Sequence, residues 1–131
     1  MADVTQPEIK EAYDEIRAEK DTDWVFVKPS DGNPNKWVLH AKGSDGIEGL
    51  RKSLDESVLG YGYVRVKDAS GRTKFIFLQY VGPNAKRTVS IRMNMQKADV
   101  QAVLSGQHAF FETTELDELT EENVMKKLKA R

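Results

Sequence analysis

The chain has 131 residues, with 20 Lys+Arg against 21 Asp+Glu and no cysteine. This length is typical of one domain with a sizeable core, and we expect a single domain over residues 1–131. The missing cysteines exclude disulfide scaffolds, thiolate metal sites and thiol nucleophiles. No apolar run approaches the ~18 residues of a membrane span, and the first residues do not resemble a signal peptide, so we expect a soluble cytoplasmic protein.

The formal net charge of −1 conceals an uneven distribution along the chain. Residues 1–60 carry 8 basic and 13 acidic groups, residues 61–97 carry 8 and 1, and residues 98–131 carry 4 and 7. The segment 61–97 is therefore strongly basic and lies between acidic flanks. Such a segment predicts an acidic partner, provided that the fold gathers its charges on one surface.

The first elements are a helix and a hairpin. Thr5 and Glu8 have the spacing of a capping box, and apolar residues then recur at helical intervals, which predicts a helix ending near Asp21. The β-rich runs 24–27 and 37–40 flank a segment rich in Gly, Pro and Asn, which predicts a hairpin. A short helix that buries three apolar side chains should follow, capped by Ser44 or Asp45 and carrying Ile47, Leu50 and Leu54.

The second half alternates strands and helices. A second hairpin is predicted over 61–67 and 74–81, and then the longest helix, from about residue 85 to residue 104. A short strand at 109–111 precedes a final helix from about Leu116 to Lys129. This order predicts an α/β (α+β) fold with a central mixed sheet of about five strands, flanked by four helices on its two faces.

Tests for catalytic or metal chemistry give no candidate. His40 and His108 stand apart from each other and from any cysteine, so no metal site is predicted. The carboxylates cluster near helix N-termini and on solvated faces, where negative charge is favourable without any catalytic role. We therefore predict no enzyme activity, no catalytic residue and no cofactor.

One strand motif suggests an alternative function. Gly60-Tyr61-Gly62-Tyr63-Val64 reproduces the centre of the aromatic motif with which RNA-recognition domains stack on bases. Leu59 and Val66 depart from that motif, and a second β-rich run follows the first strand where such domains have a helix. The other interpretation is that the two tyrosines are cross-strand partners inside a sheet.

The whole chain resembles the actin-depolymerising-factor homology (ADF-H) domain of the cofilin-like family, and within it the coactosin branch. The likeness lies in the stretches 63–66, 72–75 and 78–82 of the second hairpin, in the long helix, and in the closing segment 118–124. The resemblance implies a mixed sheet flanked by four helices. It also implies a protein of the actin cytoskeleton that binds filament sides and modulates filament dynamics without severing.

The resemblance also implies a set of site residues. Lys74 occupies the position of a lysine that is important for filament binding in coactosins, and the charges of the second hairpin, the long helix and the last helix are expected to face actin. The predicted basic contacts are Lys67, Arg72, Lys74, Lys86, Arg87, Arg92, Lys97, Lys126 and Lys127. Ile91 and Met95 are candidates for an exposed apolar patch, unless they belong to the core.

Several positions depart from the family pattern. Ala2 and Asp3 follow Met1 where cofilins have a phosphorylatable serine, Ser90 and Arg92 replace a Lys-x-Lys pair, and Gln101 replaces a coactosin lysine. These departures favour filament binding over monomer binding and severing. We expect actin filaments as the partner of a monomeric protein, with no nucleic acid and no membrane.

Overall fold

The computed structural model describes residues 2–129. Within this range the chain forms a five-stranded sheet, five α-helices and a short 3₁₀ helix. In chain order these are α1 (Pro7–Arg17), β1 (Trp24–Pro29), β2 (Trp37–Gly43), α2 (Gly46–Lys52), β3 (Leu59–Lys67), β4 (Thr73–Val81), α3 (Arg87–Met95), α4 (Lys97–Val103), β5 (Ala109–Thr113), the 3₁₀ helix (Leu116–Glu118) and α5 (Glu121–Lys129). No helix between residues 2 and 129 has the length and apolar character needed to cross a membrane.

The sheet is mixed, with the strand order β2-β1-β3-β4-β5. The two predicted hairpins are present, and β1 also pairs antiparallel with β3. β5 pairs parallel with β4, so α3 and α4 form the crossover connection that a parallel pair requires. The predicted fold class is therefore confirmed.

Helices cover both faces of the sheet because successive strand residues point to opposite sides. On one face, α1, α3 and α4 bury apolar side chains such as Ile16, Met93 and Val100 against the sheet. On the other face, α2 and α5 bury residues that include Leu50 and Val124. The result is a three-layer arrangement in which helices cover both faces of the sheet.

The alternation of glycine and tyrosine in β3 has a packing explanation. Tyr61 and Tyr63 are both 0% exposed, and their hydroxyls donate to the backbone carbonyls of Met93 at 3.0 Å and Ser105 at 2.7 Å. Burial raises the pKa of both phenols. Rings in this position cannot stack on bases, so the structure contradicts the stacking role on which the RNA-binding alternative depends. It agrees with the interpretation that the two tyrosines pair across strands inside the sheet.

The long helix predicted over residues 85–104 is interrupted at Gln96. The Gln96 side chain is only 5% exposed; its Oε1 accepts from the Trp37 indole at 2.7 Å and its Nε2 donates to Asn35 Oδ1 at 2.9 Å. A buried amide must satisfy its hydrogen bonds, and here both partners lie in or beside β2. The interruption between α3 and α4 raises the predicted helix count from four to five.

Two further helix ends differ from the prediction. Thr5 forms no capping box, since its hydroxyl donates to Asp3, and the residue at the N-cap of α1 is Gln6. α1 also ends at Arg17, earlier than predicted. The final helix is divided: the 3₁₀ helix ends before Leu119, which is buried in the core, and α5 begins only at Glu121.

Arg65 of β3 caps the C-terminal end of α1. Its guanidinium donates to the carbonyl of Ile16, in the last turn of the helix, at 2.8 Å and to the carbonyl of Lys20, in the segment that follows, at 2.7 Å. We expect Arg65→Met to lower the free energy of unfolding by about 2 kcal/mol, because hydrogen bonds from a charged group are lost. Urea unfolding followed by circular dichroism measures this. The matched variant Arg51→Met, which removes a half-buried arginine whose ion pair is with Glu48 one turn earlier in α2, should change stability much less. Equal losses in both variants would contradict the capping role.

Candidate functional site

The first group of predicted basic residues lies at the tip of the β3–β4 hairpin. Lys67, Arg72 and Lys74 line one surface groove of about 770 Å³. The opposite wall of the groove comes from the C-terminal part of α5, with Met125, Leu128 and Lys129. We call Lys67, Arg72 and Lys74 the tip cluster. The groove places these three cations and Lys129 beside the apolar side chains of Met125 and Leu128, which suits an acidic protein surface with an apolar anchor.

Hydrogen bonds to Asp68 hold the tip in shape. Asp68 Oδ1 accepts from the Ser70 hydroxyl at 2.7 Å and from the backbone N–H groups of Ser70 and Arg72 at 2.9 Å each. The Ser70 hydroxyl and then the Arg72 N–H hold the pKa of Asp68 below its ordinary value. The tip therefore keeps an ionised carboxylate at its centre, and Arg72 forms an ion pair with it, with Nε 3.6 Å from Asp68 Oδ2.

A second group lies at the opposite end of the sheet. Lys86 and Arg87 are exposed at the start of α3, and the chain reaches α3 after the last residue of β4. Lys74, in contrast, lies beside the first residue of β4. The seven steps from Lys74 to Val81, each a rise of about 3.3 Å, span roughly 23 Å in a strand. Lys86 also shares a cavity with Lys28 of β1, a residue that the sequence analysis did not select. We call Lys86 and Arg87 the helix-start cluster.

The outer side of α3 presents an exposed apolar pair. Ile91 is 54% exposed and Met95 is 81% exposed, whereas Met93 on the inner side is 1% exposed. Arg87, Ile91 and Met95 are spaced four residues apart and so lie along one face of the helix. The prediction that Ile91 and Met95 point outward is confirmed, and the core interpretation is wrong. The pair extends the helix-start cluster with apolar surface.

Arg92 and Lys97 point toward opposite edges of the sheet. The Arg92 guanidinium donates to Asn35 Oδ1 at 3.3 Å, in the loop that leads to the edge strand β2. The Lys97 ammonium lies 3.6 Å from the centroid of the Phe110 ring, on the other edge strand, β5. Arg92 and Lys97 therefore do not form a continuous surface with the tip cluster or with the helix-start cluster.

The lysines of α5 are divided between two surfaces. Lys126 and Lys127 line a separate groove that contains Glu112 and Glu118 and lies beside β5. Lys129, which was not predicted, lies in the tip groove instead. Helical spacing is the signal that could have predicted Lys129, because it lies on the same helix face as the apolar residues Met125 and Leu128. The structure thus does not gather the predicted charges of α5 around the tip.

Comparisons with known proteins identify the family to which this chain belongs. Residues 1–129 match the family of cofilin/tropomyosin-type actin-binding proteins. Coactosin of Dictyostelium discoideum is 38% identical, in an alignment that covers 98% of this chain and 90% of that protein. The crystal structure of coactosin from Entamoeba histolytica superposes with a TM-score of 0.87 at 27% identity and covers 98% of this chain and 95% of the other.

A second solved structure has the same fold as this chain. The solution structure of mouse coactosin, described as an actin filament binding protein, has a TM-score of 0.81 at 20% identity, covering 98% of this chain and 90% of the other. The chain belongs to the family of cofilin/tropomyosin-type actin-binding proteins. It is accordingly an actin-binding protein with an ADF-H fold of the coactosin type, and not an enzyme.

Proposed function

We propose that the protein binds the sides of actin filaments through two contacts, one at the tip cluster and one at the helix-start cluster, and that it modulates filament dynamics without severing. It acts as a monomeric single domain over residues 1–131, in the cytoplasm and on the actin cytoskeleton. Neither nucleic acid nor a membrane is part of this function. The remaining predicted cations, Arg92, Lys97, Lys126 and Lys127, flank the two contacts.

The observation that carries the proposal is the separation of the two clusters. Each end of the sheet offers cations beside exposed or groove-lining apolar side chains, and roughly 23 Å of strand lies between the ends. Two distant contacts of this kind match a partner that repeats, such as adjacent subunits of a filament. Binding both ends at once also raises the overall affinity above that of either contact alone.

Specific residues support binding without severing. Ser90 stands where the cofilin branch carries the first lysine of its Lys-x-Lys pair, and it is half-buried, with its hydroxyl bonded to the Arg87 carbonyl at 2.9 Å. The early part of α3 therefore presents fewer cations than the severing branch does. The description of mouse coactosin as an actin filament binding protein is in line with this function.

Fluorescence microscopy of single filaments tests the proposal. We expect labelled protein to decorate filament sides evenly, while the number of breaks per unit length stays at the level of filaments in buffer. A severing cofilin, added to parallel chambers, shows that breaks are detected under the same conditions. Filaments that break faster with this protein, or that stay undecorated, would contradict the proposal.

A further inference from the structure

The basic segment 61–97 contains a serine that is placed for modification. Its four serines and threonines are Ser70, Thr73, Thr88 and Ser90. Thr73 lies in β4, and its hydroxyl donates a hydrogen bond to the Glu19 carboxylate at 2.9 Å. Thr88 and Ser90 lie in α3. Ser70 differs from these three because it is exposed in the turn between β3 and β4, outside any helix or strand.

The neighbours of Ser70 suit a particular class of enzyme. Lys67 precedes it by three residues and Arg72 follows it by two, and both side chains are exposed. Kinases select substrates through complementary charge patterns, and a substrate residue in an exposed turn can enter an active site without unfolding a helix or strand. Gly71, at φ +82°, adds a position with little steric restriction beside the acceptor.

We propose that Ser70 is a phosphorylation site for a serine kinase that selects basic neighbours, and that the phosphate switches off the tip cluster. This inference rests on the proposed function, because it assigns regulation to one of the two actin contacts. In the reaction, Ser70 Oγ attacks the γ-phosphorus of ATP and loses its proton to the kinase's base. The new O–P bond replaces the bond to the β-phosphate, and ADP leaves.

The contacts of Ser70 explain why a phosphate there would block binding. Its Oγ now donates to Asp68 Oδ1 at 2.7 Å and accepts from Arg72 Nε at 3.0 Å. A phosphoserine carries a charge of about −1.5 to −2 at pH 7, and it has no proton to donate to Asp68. The tip cluster and Asp68 together carry three cations and one carboxylate, so the added phosphate brings their sum close to zero.

The phosphate would also compete directly for Arg72. A guanidinium within hydrogen-bond distance of the serine oxygen forms strong charge-assisted bonds with phosphate oxygens. Repulsion from Asp68 would at the same time disturb the hydrogen bonds that shape the turn. Loss of positive charge, withdrawal of Arg72 and a distorted turn all weaken a contact with an acidic surface.

The test compares protein carrying phosphoserine at position 70 with unmodified protein in co-sedimentation with actin filaments. We expect about tenfold weaker apparent affinity for the modified protein at low salt, because the attraction of the tip cluster for an acidic surface is lost. Ser44→Glu, which adds negative charge at another exposed serine, should bind like the unmodified protein.

In parallel, the catalytic domain of a protein kinase C with ATP should label wild type and leave Ser70→Ala unlabelled.

Each outcome has a separate meaning. Unmodified protein that fails to pellet refutes the proposed function. If it pellets and the phosphoserine form pellets equally well, the switch is refuted while filament binding stands. Labelling of Ser70→Ala at the wild-type rate refutes Ser70 as the acceptor. Circular dichroism of the phosphoserine form should match that of wild type, and a lost fold with lost binding would refute a local switch.

Discussion

Replacement of Gly60 by alanine is expected to lower the free energy of unfolding by about 3 kcal/mol or more. A Cβ at this position in β3 would lie 2.0 Å from the carbonyl oxygen of Val27 in β1 and 2.9 Å from the Phe26 ring. The oxygen belongs to the backbone of a paired strand, so relief requires β1 and β3 to move apart. Chemical unfolding followed by circular dichroism measures the loss.

Gly32→Ala is the matched control for this prediction. Gly32 lies in the loop between β1 and β2, and a Cβ there would meet nothing within 4 Å. We expect this variant to stay within about 0.5 kcal/mol of wild type, as surface substitutions usually do. If the two alanine variants prove equally stable, close packing is not the reason for glycine in the Gly-Tyr-Gly-Tyr pattern.

Lys74→Glu is expected to weaken filament binding about tenfold, which corresponds to about 1.4 kcal/mol. Lys74 lines the tip groove together with Lys67, Arg72 and residues of α5. Reversal of its charge therefore places a carboxylate where the acidic partner docks. Co-sedimentation at low salt, with protein titrated against a fixed amount of filaments, gives the affinity. The folded state should be unchanged, because the side chain is not part of the core.

The same reversal elsewhere controls for net charge. Lys52 is exposed at the end of α2, a helix that packs against β1, β2 and β3. We expect Lys52→Glu to bind nearly as tightly as wild type, and the difference between the two variants to shrink as salt screens the contact. Equal weakening by both would show that overall charge, and not the tip cluster, governs binding.

Local pattern was enough to predict the sheet. Alternation and turn residues placed both hairpins, and the apolar run 75–78 of β4 is buried throughout, as in a strand covered on both faces. The interruption at Gln96 could not be predicted in this way, because the apolar spacing continues through it. Its cause is long-range: the partners Trp37 and Asn35 lie about sixty residues away in sequence.

The cations of the candidate site were selected from the sequence, and their role in binding stays a prediction, whereas their layout required the structure. The excess of charge in the segment 61–97 and the family resemblance selected them, and helical spacing placed Ile91 and Met95 on one side of α3. Their division into two clusters depends on topology, because β4 carries the chain from the tip cluster to the other end of the sheet before α3 begins. Similarly, helical spacing separates Lys129 from Lys126 and Lys127, but the packing of α5 decides which of these lysines lie in the tip groove.

Co-sedimentation of the unmodified protein with actin filaments tests the central claim most directly. The charged contacts at both ends of the sheet predict saturable binding at about 0.05 M KCl that weakens steadily up to about 0.3 M, as the screening length shortens. The variant with both Lys74→Glu and Arg87→Glu should lose more than either single variant, because each cluster contributes to one two-point contact. Protein that stays in the supernatant at low salt with excess filaments would contradict filament binding.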